Sequence, residues 1–170
     1  MEFTKVRSYI GNINQVFPVK EYRLCGGKME GVHAIDIQNG AGLSLTVLPG
    51  RCLDIPALHY RGKALHFLSP TGITHPSYFG TAQQGWMDTF SAGFRTAGGL
   101  GNIGKGSRWQ GVPVSMQGCI SNTPAEHANI LRGSEEGVPY VEVSGTMTEA
   151  SLFGARFTLT RTLRVTYDRP

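Results

Sequence analysis

The residues of this 170-residue chain that could do chemistry are five histidines, twelve acidic side chains and one glycine-rich run. His33, His59, His66, His75 and His127 never fall at i, i+2 or i, i+4 from one another, and no carboxylate cluster completes a ligand set beside them. A protein metal site is therefore not expected, and no cofactor is expected either. His33 and His59 lie in strand patterns and read as structural. His75, in THPSYF, sits in a loop, where an acid/base role and plain solvation are both open. Glycosidase chemistry needs two carboxylates across one cleft. Asp36, Asp54, Asp88 and Glu126 are candidates that sequence does not pair, while Glu135-Glu136 reads as a solvated turn. No G-x-S-x-G nucleophile elbow occurs. Gly99-Leu100-Gly101-Asn102-Ile103-Gly104 matches G-x-G-x-x-G, but a dinucleotide site needs a helix opening on its last glycines. Lys105-Gly106-Ser107 and then Pro113 follow instead. As a P-loop the run fails at Gly106, which stands where a Ser or Thr would hold magnesium. It reads as a ligand-covering loop. Trp86, Trp109, Tyr78 and Phe79 sit in or beside loops, where stacking on a sugar ring and ordinary packing are both open.

These groups must be positioned by strands. Gly is abundant, at 23 residues, and each glycine inside a helix costs roughly 1 kcal/mol against Ala. With Thr, Val, Ile and aromatics spread throughout, the composition points to an all-β chain. A net charge of +4 and a pI near 9.1 come from scattered Lys and Arg with no basic run, so no nucleic-acid partner is expected. No apolar run approaches membrane-spanning length, so no membrane partner is expected. Cys25, Cys52 and Cys119 are far apart and odd in number. They read as reduced thiols of a cytoplasmic protein.

In chain order, Met1–Ile10 reads as a strand and Tyr22–Met29 as a second. Gly31–Gln38 and Leu43–Leu48 alternate on either side of Asn39-Gly40, a strong hairpin signal. In RCLDI, Arg51, Leu53 and Ile55 share one parity and Asp54 the other. Leu65–Leu68 reads as a short strand, Ser69–Gly80 and Ala97–Gly106 as loops, and Trp86–Phe94 as either a helical turn or irregular. Val114–Glu126 runs apolar and then stops at Ser121-Asn122-Thr123-Pro124, because Pro124 has no N–H and biases Thr123 away from helix. Ala128–Arg132 and Tyr140–Thr148 are weaker strands. Phe153–Val165 alternates with period two, a long half-buried strand.

Several segments resemble one family in the same order: NINQVFPVKEYRLCGGKMEGVHAIDIQNG, LPGRCLDI, LSPTGIT, FSAGFRTAGGLGNIG and QGCISNTPAE. The chain is similar to the aldose 1-epimerase-like (galactose mutarotase-like) proteins, in their DUF4432-type branch. The resemblance implies an antiparallel β-sandwich of the supersandwich type with a sugar site in a cleft on one face. Family members are considerably longer, so residues 1–170 are expected to form one β-sandwich domain that is the N-terminal portion of a larger one. Where the family pattern reads His-Gly-Arg, this chain has Gln117-Gly118-Cys119, and Gln117 carries no proton near pH 7. THPSYF superficially resembles the mutarotase N-H-x-Y-F motif but precedes the Gln117 segment, the reverse of the family order, so no catalytic role passes to His75.

The resemblance implies a small-molecule sugar as partner. Arg51 and Asp54 are expected at its cleft, with Arg95, Asn102, Gln117 and Asn122 converging on the same concavity. The acid/base pair of an epimerase is expected outside these residues, so the chain alone is expected to be inactive and marginally stable. A non-catalytic sugar-binding or purely structural β-domain is the alternative. Sugar, anomer and oligomeric state are not readable.

Overall fold

Alternation of apolar and polar residues builds the first sheet. The computed structural model describes residues 3–80, 85–109, 111–152 and 154–169. In it β1 (Val19–Arg23), β2 (His33–Gln38), β3 (Leu43–Leu48), β4 (Asp54–Tyr60) and β5 (Lys63–Ala64) pair antiparallel in sequential order. The β2–β3 hairpin sets Ile35 opposite Val47 and Ile37 opposite Leu45. Its turn is held by Asn39, whose Oδ1 accepts from the Ala41 and Leu43 N–H groups. Two short ribbons follow: β6 (Phe67–Leu68) with β7 (Ala92–Gly93), and β8 (Ser107–Trp109) with β9 (Val112–Val114). A second sheet holds β10 (Glu126–Glu135), β11 (Val138–Ala150) and β12 (Arg156–Thr166), with β11 in the middle.

The two sheets close over one core. Ile35, Ile37 and Val47 from the first sheet meet Val141, Val143 and Met147 of β11, with Phe17 beneath, all fully buried. Each such side chain contributes about 1.5–3 kcal/mol relative to exposure. The opposite face of the first sheet carries a smaller cluster of Val32, Ala34 and Leu48. The architecture is thus all-β and antiparallel, as the composition implies.

Several local expectations are corrected. Met1–Ile10 is not a strand: Phe3–Arg7 forms a short helix, α1, and Met1 and Glu2 lie outside the described residues. Phe3 and Val6 are spaced for one helical face, and Phe3 packs edge-on against Tyr167 at 5.2 Å. The second strand lies earlier than Tyr22–Met29, because Gly26 and Gly27 adopt positive φ and open a 3-10 turn over Gly27–Met29. β10 and β11 are longer than the expected Ala128–Arg132 and Tyr140–Thr148. The final strand starts later than expected: Phe153 lies outside the described residues, Gly154 and Ala155 are not strand, and β12 begins at Arg156. Gly85–Thr89 is a helical turn, α2. Among the described residues no helix is long and apolar enough to cross a membrane.

Candidate functional site

The RCLDI stretch does not continue as a strand, so its parity does not decide where its charges point. Pro49–Arg51 is a 3-10 turn, and Cys52 (φ 55°) and Leu53 (φ 53°) both adopt the left-handed region. Each such non-glycine residue costs about 1–2 kcal/mol, and the surroundings hold them there. The Cys52 N–H donates to the Thr123 carbonyl at 3.0 Å, and Arg161 Nη1 donates to the Cys52 carbonyl at 2.6 Å. The Ala125 N–H donates to the Pro49 carbonyl at 2.8 Å. The LPGRCLDI and QGCISNTPAE segments therefore lie side by side.

The turn brings both charges inside. Arg51 is fully buried. Its Nη1 donates to the Thr74 carbonyl (2.8 Å) and Oγ1 (2.6 Å), and its Nη2 to the Thr89 carbonyl (2.9 Å). Burial pushes this guanidinium below its ordinary value, with Asp54 pulling the other way. Asp54 is 1 % exposed. Its Oδ1 accepts from the Ala97 N–H at 2.7 Å and from Arg161 Nη1 at 3.3 Å. Burial pushes the Asp54 carboxyl up to about 7, against the opposing pull of the Ala97 N–H, Arg161 and Arg51. The 3.3 Å contact is longer than the 2.7–2.9 Å typical of a charge-assisted bond. Burial likewise pushes the neighbouring Cys52 thiol up to about 12.

Asp54 in turn fixes the start of the glycine-rich loop. The Ala97 N–H bond, together with the Ile55–Arg95 bridge, anchors Arg95–Ala97 along β4. The rest of the loop latches onto residues 115–118. Gly99 N–H donates to the Gln117 carbonyl, and Gln117 N–H to the Gly104 carbonyl. Asn102 Nδ2 donates to the Lys105 and Ser115 carbonyls, both at 2.9 Å. Gly118, at φ 65°, is required for this contact, since a Cβ there would come 2.9 Å from the Gly99 carbonyl oxygen. Gln117 itself sits at φ 57°. Asn122 is buried; its Nδ2 donates to Ser121 Oγ and its Oδ1 has no partner.

Asn102 and Gln117 thus meet in one loop pair, and Asn122 follows on the buried turn after Cys119. Arg51 and Asp54 lie in the interior, bonded to protein groups. Arg95 pairs with β4 through its backbone and has an exposed side chain. His75 Nδ1 accepts from the Ser77 N–H and caps a 3-10 turn. Trp86 stacks on Phe90 at 4.2 Å, and Tyr78 is half exposed. The side chain of Trp109 lies outside what is described. Among the described residues no group of three or more His, Cys, Asp or Glu is placed to hold a metal.

Two residues of this region escape the sequence patterns. Arg161 occupies the inward row of β12 between Leu159 and Leu163, opposite Gly145 of β11. Glu149 continues the inward row of β11 after Val141, Val143, Gly145 and Met147. A single charge in an otherwise apolar row of a strand is the signal for both. Nε of Arg51, Nε of Arg161, Oδ2 of Asp54, Oδ1 of Asn122 and Oε2 of Glu149 are buried without a hydrogen-bond partner. Native proteins keep such atoms few. A groove of about 550 Å³ lies elsewhere, between Gln15, Gln38, Ser44 and Tyr167. Among the described residues that line it, Tyr167 is the only ionisable one and none of the residues above is present, so the polar loop region is the better candidate for chemistry.

The fold is shared with the "putative aldose 1-epimerase" of Klebsiella pneumoniae subsp. pneumoniae MGH 78578, at a TM-score of 0.78 and 19% identity, over 92% of this chain and 43% of that one. Galactose 1-epimerase from Lactobacillus acidophilus NCFM aligns at a TM-score of 0.45 and 10% identity, over 88% of this chain and 44% of that one. The chain spans less than half the length of either. The fold is the galactose mutarotase-like antiparallel sandwich implied by the sequence resemblance. No curated protein matches. Residues 29–170 match the family "Domain of unknown function (DUF4432)", and since that is most of the chain, this protein belongs to that family.

Proposed function

We propose that this chain binds a small neutral sugar at the paired loops 97–104 and 115–122, as part of an aldose 1-epimerase-like protein. The observation that carries the reading is a convergence. Pro49–Asp54, Thr74 and Thr123–Ala125, all from segments that resemble the epimerase-like proteins, are tied together by hydrogen bonds. Beside them Asn122 Oδ1 is a buried acceptor without a protein partner. A hydroxyl-rich ring offers donors to such an acceptor, while amide and guanidinium groups read its other oxygens. In this reading Arg95, Asn102, Gln117 and Asn122 face the ligand, and Arg51 and Asp54 hold the loops from beneath.

Mutarotation needs a base at the anomeric hydroxyl and an acid at the ring oxygen, each worth roughly 10²–10⁴-fold. The amide side chains of Asn102, Gln117 and Asn122 offer no titratable proton. The acid/base pair would then come from sequence outside these 170 residues, such as the further length the longer relatives possess. A cytoplasmic setting is supported by three free thiols, as expected in a reducing compartment.

Saturation-transfer NMR with D-galactose, D-glucose and L-rhamnose tests the reading. Transfer to at least one sugar, weakened in Arg95→Ala, is expected. No transfer to any of them would overturn it in favour of a structural β-domain. Polarimetry on the same chain should show anomer exchange close to the buffer rate. Clear acceleration would place the acid/base groups within it.

A further inference from the structure

We infer that Glu149 is a hydroxyl-binding carboxylate of the sugar site, an inference that rests on the sugar-binding reading above. β11 places it. Val141, Val143, Gly145 and Met147 are buried on the inward face, and Glu149 is the next residue of that row. A carboxylate on the core side of a sandwich is costly unless something pairs with it. Its neighbours are the glycine-rich loop and Cys119. A Cβ on Gly101 would lie 2.5 Å from Glu149 Oε1, so a side chain at 101 would push the carboxylate out of its place under the loop. Cys119 lies in the segment that latches this loop, and burial together with the Glu149 carboxylate pushes its thiol up to about 12. Glu149 Oε2 nevertheless accepts no hydrogen bond although it is buried.

The G-x-G-x-x-G run therefore encloses an acidic acceptor rather than a phosphate. A carboxylate in that position accepts from sugar hydroxyls, two at once where they are vicinal, and repels an anionic ring. The subsite is accordingly one for neutral aldoses, not for sugar phosphates or uronic acids.

The test uses the full chain and whichever of D-galactose, D-glucose and L-rhamnose binds the wild type, titrated by saturation-transfer NMR against three variants. Glu149→Gln keeps the shape but removes the charge, and affinity should fall about tenfold or more, as for loss of a hydrogen bond to a charged group. Gly101→Ala keeps the charge but displaces the carboxylate, and should weaken binding similarly with little change in melting temperature. Glu142→Gln lies on the outward face of the same strand, beside Arg164, and should bind like the wild type. D-galacturonate should bind more weakly than D-galactose to the wild type, and Glu149→Gln should narrow that gap. Unchanged affinity in both Glu149→Gln and Gly101→Ala would overturn the subsite while leaving sugar binding intact. A wild type that binds none of the sugars would overturn the sugar reading and the subsite with it.

Discussion

At one end of the inward face of β11 and β12, Val141, Val143, Leu163 and Val165 lie against the first sheet and close the hydrophobic core. At the other end, Glu149 and Arg161 interrupt the apolar rows, Gly145 lets Leu53 and Ala125 pack against its backbone, and Phe157 stays 40 % exposed. The same two strands thus build a dry end and a polar end. The dry end gains stability from every buried side chain. The polar end accepts two left-handed residues at 52 and 53 and several unpartnered buried atoms. Strain and unpaired polar groups concentrate where proteins do chemistry, so this asymmetry, more than the size of any cavity, is the ground for proposing the site at the polar end.

The sharpest way to break the comparison is Arg161→Ala. Arg161 holds the Asp54 carboxyl down, so at alkaline pH its loss forces Asp54 either to stay ionised and unpaired in the interior or to take up a proton, and it frees the strained Cys52 carbonyl. We expect a loss of about 3–5 kcal/mol in urea denaturation at pH 8, and a smaller loss at pH 5, where Asp54 is neutral. At the dry end, Ile35→Ala should cost about 2–5 kcal/mol, equally at the two pH values. A pH-dependent penalty at Ile35, or a pH-independent one at Arg161, would erase the distinction.

Asp54 alone gives the next effect. Its folded carboxyl titrates near 7 against an ordinary 3.8. Below 3.8 both states hold the proton. Between 3.8 and 7 the folded state keeps it while the unfolded state releases it, so this contribution to stability is lost as pH rises through that window and is flat above it. The loss is on the order of 2–4 kcal/mol. Asp54→Asn should remove that slope from the stability–pH curve, and an unchanged curve would show that the carboxyl is not raised. The smallest effect belongs to the outward face. Arg164, its side chain 43 % exposed, bonds Glu142 and Glu135 there, and Arg164→Ala should melt close to the wild type, because pairs near the surface contribute little.

The sequence shows some of this directly and hides the rest for physical reasons. The Asn39-Gly40 turn between two alternating runs is local chemistry, and the β2–β3 hairpin follows from it. The glycine-rich run is legible as a loop because Gly106 and Pro113 forbid the helix a nucleotide site needs. RCLDI is not legible by parity, because Cys52 and Leu53 leave the extended region and turn both Arg51 and Asp54 inward. Tertiary bonds hold them there, from Thr123, Ala125 and Arg161 to the turn's backbone and from Thr74, Thr89 and Ala97 to its two charges, and no local pattern encodes those. Arg161 and Glu149 are visible as charges in apolar rows, yet an inward row is recognisable only once the opposing sheet is known. Phe3 and Val6, three residues apart, share a face in a helix and not in a strand, so the spacing itself favours α1 over the strand reading.

The central claim, that the polar end is the sugar site, is tested most directly by amide chemical-shift mapping of the 15N-labelled chain titrated with D-galactose, D-glucose or L-rhamnose. The account predicts perturbations confined to residues 97–104, 117–122 and the Glu149 end of β11, with the Gln38–Ser44 turn beside the 550 Å³ groove silent. Shifts centred on Gln38–Ser44 and Tyr167, with Gly99–Gly104 and Gln117 unmoved, would contradict it.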